Sequence, residues 1–166
     1  DRIDYANDTA TATTKGPLSV GRGGVGGSGN SFFGYFAGGT SPDKSTIDRI
    51  DYSNDTAVAA AKGPLASYRA YISATGNQSY GYWGGGATPS LVSTVDRVDY
   101  SNDTAIGSVR SSLHAALSYM GASSARSHAL PIIGSTVSEF TNTFTRQHYP
   151  SSQRGYFQGL SPAPLM

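Results

Sequence analysis

Apolar positions come in short runs along this chain, and each run is stopped by glycine, proline or Asn-Asp. Residues 33–36 and 80–83 are aromatic runs that lead into glycines. Glycine ends a strand and lets another backbone come close, so each run reads as a strand closed by a tight contact. Residues 46–52 and 94–100 are rich in β-branched side chains and end on Tyr, which suits a second strand. Asn54-Asp55 follows, like Asn7-Asp8 and Asn102-Asp103. These residue types tolerate left-handed backbone, so a tight hairpin turn is predicted there. A third strand of small side chains is predicted over residues 56–61. Lys62-Gly63-Pro64-Leu65 stops it, since proline cannot sit in a central ladder. A fourth strand over residues 67–74 carries Tyr68, Tyr71 and Ile72, and Thr75-Gly76-Asn77 turns the chain into the next unit.

The pattern is a repeat. Asp-Arg-Ile-Asp-Tyr starts at Asp1 and Asp48, and Asp-Arg-Val-Asp-Tyr starts at Asp96, spacings of 47 and 48 residues. Lys15-Gly16-Pro17-Leu18 falls on Lys62-Gly63-Pro64-Leu65, Arg22 on Arg69, and Gly29-Asn30 on Gly76-Asn77. Gly34-Tyr35-Phe36-Ala37-Gly38-Gly39 falls on Gly81-Tyr82-Trp83-Gly84-Gly85-Gly86. The third unit keeps the wording only to Ala105. The chain therefore divides into a repeat region, residues 1–105, and a divergent segment, residues 106–166, read as a cap or oligomerisation region.

Four antiparallel strands in a repeat of this length predict an all-β fold of β-propeller blades. The chain resembles the kelch family in the double glycine after an aromatic strand (Gly38-Gly39, Gly85-Gly86), in Tyr52 and Tyr100, and in Gly-Pro-Leu followed by Arg22 or Arg69. It departs from that family where a Trp usually follows the turn, having Ala57 and Ala105 there. The string from Ser93 to Thr104 is closer still to repeat arrays of cyanophage virion structural proteins of tail-fibre type. These resemblances imply four-stranded kelch-like blades in a virion or extracellular assembly. Two full units and part of a third make an incomplete ring, since closed propellers typically need 4–8 blades. Open sheet faces and edges call for a partner, so a homo-oligomer or larger appendage is expected.

The divergent segment is poor in acid: ten of the eleven Asp and Glu residues lie before Thr104, and only Glu139 follows. Val109, Leu113, Ala116, Leu117 and Met120 fit one helix face, which predicts a short helix over residues 109–120. Residues 130–133 and 137–144 read as strands, and Gly155-Tyr156-Phe157-Gln158-Gly159 echoes the aromatic strand. An alternative origin for 106–166 is an out-of-frame continuation of the repeat. A chain that starts at Asp1 reads as processed or as a piece of something longer.

Composition narrows the chemistry. The 166 residues hold no cysteine, so disulfides, thiolate zinc sites and thiol catalysis are excluded. A net charge of +1 gives no reason to expect nucleic acid, and no apolar run is long enough for a membrane span. Asp48, Asp51 and Asp55 cluster, yet their spacing matches no calcium loop, and the strand period puts Asp48 and Asp51 on opposite faces. Asp55 is assigned to the turn, and Asp48 or Asp51 to an arginine partner. Asn7-Asp8-Thr9, Asn54-Asp55-Thr56, Asn102-Asp103-Thr104 and Asn77-Gln78-Ser79 have the form of glycosylation sequons and are read as turns. The glycines of residues 21–29 have no following Lys-Ser or Lys-Thr and are read as a loosened strand rather than a phosphate loop. His114, His128 and His148 lack metal-ligand spacing, and no Gly-x-Ser-x-Gly is present.

No cofactor, metal or catalytic residue is therefore assigned, and the expected role is non-catalytic: structure or host recognition in a virion or at a cell surface. The candidate ligand-binding residues are the aromatics Tyr35, Phe36, Tyr82, Trp83, Tyr68 and Tyr71. Their competing assignment is the packing layer between blades. Rings beside Asn and Asp suit a surface glycan, so a bacterial carbohydrate-binding or adhesin module is the alternative. A fragment of a kelch-type enzyme is the second.

Overall fold

The structure, a computed structural model, describes residues 1–124 except Tyr5. The described chain is all-β. One antiparallel sheet holds β1 (Gly26–Gly29), β2 (Phe33–Ala37), β3 (Ile47–Asp51) and β4 (Ala60–Ala61) in that spatial order. A second holds β5 (Ser73–Gly76), β6 (Tyr80–Gly84), β9 (Thr94–Asp99) and β10 (Ser108–Ser112). A small hairpin, β7 (Ala87–Thr88) and β8 (Ser90–Leu91), lies in the loop between β6 and β9. Residues 1–14 contribute one bridge, Arg2 to Thr13, which repeats the Arg49–Ala60 pair of β3 and β4.

The repeat is out of phase with the sheets. The predicted fourth strand, 67–74, forms only over Ser73–Gly76, and it pairs with the next aromatic strand, Ser73 against Gly84. Thr75-Gly76-Asn77 thus leads into a hairpin inside one sheet and does not connect two sheets. The Asn77 side-chain oxygen accepts from the Ser79 and Tyr80 amides (both 2.8 Å), and Asn30 does the same for Phe32 and Phe33. The glycine-rich run becomes β1 as a loosened strand, where a Cβ on Gly26 would press on Ile72 and Trp83.

Three local expectations are corrected. Tyr52 and Tyr100 leave their strands and open single 3-10 turns, Tyr52–Asn54 and Tyr100–Asn102. Asp51 caps the first by accepting from the Ser53 amide and hydroxyl, and Asp99 caps the second through Ser101. Asp55 (φ −76°) and Asp103 (φ −74°) are right-handed, so the side-chain cap replaces the predicted left-handed turn. The third strand shrinks from 56–61 to Ala60–Ala61, because the turn closes through Ala57 and the Ala59 amide is drawn to the Pro17 carbonyl. The helix predicted over 109–120 does not form. Val109 pairs with Asp96 across β10 and β9, with a bulge before Ser111, and sheet pairing outweighs the helical spacing.

Backbone correspondence outlasts sequence correspondence. The Leu113 amide donates to Ser93 as that of Leu65 does to Ser45, and the Gly86 amide donates to the Leu117 carbonyl as that of Gly39 does to Arg69. Gly24, Tyr71 and Tyr119 share one left-handed position (φ +67°, +59°, +56°) at the repeat spacing. The wording ends at Ala105, but residues 113–120 retrace 65–72. The strands expected at 130–133 and 137–144, the 155–159 echo, His128 and His148 lie outside the described residues, as does most of the 106–166 segment.

Candidate functional site: the joint between units

The double glycine shows why the repeat needs its glycines. Gly38 and Gly39 both have positive φ (71° and 117°), and the Gly39 amide donates to the Arg69 carbonyl at 3.0 Å. A Cβ on Gly38 would overlap that carbonyl. The Lys-Gly-Pro-Leu glycine answers a second close approach. Gly63 donates to the Asp103 carbonyl (2.8 Å), and Gly107 donates to Pro64 (2.8 Å). Gly16 and Asp55, and Ala59 and Pro17, repeat the pair one unit earlier.

Side chains reinforce that backbone joint. Asp103 sits in the turn of the third unit and is nearly buried. It takes Arg49 at 2.8 Å and Lys62 at 3.3 Å from the unit before, and the Tyr35 hydroxyl at 3.0 Å from the strand that pairs with Arg49. Asp55 does the same for Arg2 (2.5 Å) and Lys15 (3.2 Å). The Tyr35 ring stacks on Tyr100 with centroids 4.4 Å apart and planes at 9°. Burial first, then the Asp103 carboxylate, pushes the Tyr35 phenol far above its ordinary range. Burial raises Tyr100 to about 12.

A buried arginine also ties the loop before each four-stranded sheet to the third strand of that sheet. Arg22 Nη1 meets Asp48 at 3.0 Å and also donates to the Val20 carbonyl, while Nε donates to Gly38 and Nη2 to Phe36 and Thr46. Arg69 meets Asp96 at 3.2 Å and donates to Trp83. Burial lowers the Arg69 guanidinium from its usual value, and Asp96 works against that. The three clustered carboxylates are thus engaged separately: Asp48 by Arg22, Asp51 by Ser53, Asp55 by the preceding unit.

The candidate aromatics divide. Tyr35 and Trp83 are fully buried between the sheets, and Trp83 donates its indole N–H to the Gly26 carbonyl at 2.9 Å. Neither ring is open to a ligand. Tyr82 and Phe36 are half-buried, Tyr68 is 47% exposed, and Tyr71 stacks on Tyr119, itself 75% exposed. Sequence reasoning missed Asp103, Arg49 and Lys62 as one cluster. The signal was present as the invariant register of Arg, Lys and Asp between consecutive units.

The core between the sheets is Tyr35, Ala37 and Ile47 of the first against Leu65, Ile72, Trp83 and Val98 of the second, with Tyr100 packed beside them. One repeat earlier the second half of this set recurs, and no described residues take the place of the first half. Leu18, Val25, Phe36, Ile50, Tyr52 and Asp55 line a cleft of about 390 Å³. At the opposite side of the described chain, Tyr82, Gly84, Val95 and Arg97 hold the positions of Tyr35, Ala37, Ile47 and Arg49. Arg97 lies over the Tyr80 ring (4.3 Å), as Arg49 lies over Phe33, but no carboxylate among the described residues meets it from a further unit.

No protein-family model and no curated protein matches the sequence. Among solved structures, the chain is similar to a fungal alcohol oxidase of the AA5 family in complex with copper, at a TM-score of 0.42 and 15% identity. That match covers 49% of this chain and 17% of the oxidase chain. No helix among the described residues is long and apolar enough to cross a membrane.

Proposed function

We propose that the chain is a non-catalytic structural or recognition component of a virion or extracellular assembly, of tail-fibre type, built from kelch-like propeller blades. The observation that carries this reading is the pair of half-joints. The cleft beside Tyr52 and Asp55 is one half of an inter-unit contact, and the Tyr82–Arg97 face is the other half. The filled joint at Asp103, with Tyr35 stacked on Tyr100, is the kind of contact these groups make, and repeated joints of that kind fit a building block. The repeat phase also fits blade-like sheets, each tied to the next by an acidic turn. The mass of the native particle by light scattering tests the reading. A trimer or larger assembly is expected, and a stable monomer with one cooperative melt overturns it.

A carbohydrate-binding or adhesin role is the second reading, favoured by one feature. Tyr68 and the Tyr71–Tyr119 stack leave aromatic faces accessible. A glycan-array signal lost in Tyr68→Ala or Tyr119→Ala supports it, and no signal from the wild-type chain discards it. Trp83 is the wrong probe, because its replacement opens the core.

A further inference from the structure

We propose that Tyr71 and Tyr119 are a covalent modification site, at which a one-electron oxidant joins the two phenol rings into a dityrosine. This goes beyond the assembly and glycan readings and rests on neither. The two rings stack with centroids 4.4 Å apart and planes at 25°. Tyr119 is 75% exposed, so an oxidant in solution reaches it. The chain has no cysteine, so a disulfide cannot make this tie. The bond fixes the segment around Tyr119 to the loop just ahead of β5.

The pair is held in place by its backbone. The Tyr119 amide donates to the Tyr71 carbonyl at 3.1 Å, and the Tyr71 amide donates to the Gly24 carbonyl at 2.8 Å. On either side of Tyr119, the Leu117 carbonyl accepts from the Gly86 amide and the Met120 carbonyl accepts from the Ser73 hydroxyl. Both tyrosines have left-handed backbone (φ 59° and 56°), a conformation that the surrounding bonds have to hold outside glycine. Desolvation first, then the hydrogen bond with Tyr71, raises the Tyr119 phenol, so the two hydroxyls lie at the same end of the stack. The ring carbons next to the hydroxyls therefore face each other. Those are the carbons on which a phenoxyl radical carries its unpaired electron.

The step balances. Each phenol gives up one electron and one proton. The two radicals pair their electrons in one carbon–carbon bond, and the hydrogens on the joined carbons move to the oxygens and restore both phenols. Hydrogen peroxide, acting through a haem peroxidase, takes the two electrons and two protons and leaves as water. The other stacked tyrosine pair among the described residues, Tyr35 and Tyr100, is the contrast. Tyr35 is fully buried, and its hydroxyl donates to Asp103 while that of Tyr100 meets Ser28.

The test treats the full chain at low concentration with hydrogen peroxide and a haem peroxidase, with free tyrosine as a parallel positive control. Dityrosine fluorescence is expected in single chains on a denaturing gel, with a mass lowered by two hydrogens. Tryptic mapping is expected to join the peptide of Tyr71 to that of Tyr119. Held proximity makes this coupling effectively unimolecular, so the intrachain yield is expected to fall about tenfold or more in Tyr71→Phe and Tyr119→Phe. Both variants keep the ring, and circular dichroism checks their fold. The yield is expected to stay unchanged in Tyr68→Phe, although Tyr68 is 47% exposed. Cross-links between chains only, or intrachain links that survive Tyr119→Phe, overturn the proposal. So does an absence of dityrosine while free tyrosine couples.

Discussion

Ser19 and Ala66 occupy the same position in successive units, and the difference between them is an exchange of one hydroxyl. Ser19 gives Asp48 both its amide (2.8 Å) and its hydroxyl (2.7 Å), whereas Ala66 gives Asp96 only an amide, at 2.9 Å. One Asp96 oxygen is consequently buried without a partner. Ala66→Ser is expected to stabilise the chain by about 1–2 kcal/mol, read as a higher denaturant midpoint with unchanged slope. Asp96→Ala, by contrast, leaves the Arg69 guanidinium buried and unpaired, at a cost of about 3–5 kcal/mol. Joint replacement of Arg69 and Asp96 by Met and Leu is expected to cost less than Asp96→Ala alone. The buried phenols act in another pH range. Tyr100 is raised to about 12 from an ordinary value near ~10, so its neutral form is favoured by folding. That stability is complete below about pH 10 and is lost as pH rises through about 12. Tyrosinate absorbance and circular dichroism are expected to change together over that range.

At the scale of the element, the glycines of Lys-Gly-Pro-Leu are more constrained than the strands around them. A Cβ on Gly63 would overlap the Ala105 carbonyl, which is backbone and cannot swing away. Gly63→Ala is expected to cost about 1–3 kcal/mol or more by thermal melt, and Gly21→Ala, with open space around it, close to nothing. Trp83→Ala, from the core, is expected to cost about 3–5 kcal/mol. Much of this was legible in the sequence. The aromatic strands, the β-branched strands and the close approach at the double glycine follow from residue type alone. The phase of the sheets was not, because no local signal says whether a strand pairs with the one before or the one after. The capped 3-10 turns were missed because Asp51 and Asp99 outbid Asn54 and Asn102 for the same stretch of backbone. The helix at 109–120 failed for a physical reason as well. Leu113 and Leu117 lie in irregular backbone whose amides donate to Ser93 and Val92, which a 3.6-residue period cannot distinguish from one helix face.

For the whole described chain, the units form a row in which each is joined to its neighbour by one acidic turn, so stability should be local rather than uniform. The two joints differ in what they close. Asp103 gathers Tyr35, Arg49 and Lys62 and seals a filled core, with Tyr35 and Trp83 fully buried beside it. Asp55 gathers Arg2 and Lys15 above an open cleft and holds only the hairpin of residues 1–14. Asp103→Ala is therefore expected to lower the global melting point, since it strands a guanidinium, an ammonium and a phenol at the joint between the sheets. Asp55→Ala is expected to leave the global melt within about 1 kcal/mol, because its partners are partly solvated. It should instead release the Arg2 and Thr13 amides, which bond only to each other's carbonyls across one bridge. Native-state hydrogen exchange separates the two outcomes. Faster exchange confined to residues 1–14 in Asp55→Ala supports a row of separable joints. Equal loss of protection in β2 and β6 would mean that the described units unfold as one block.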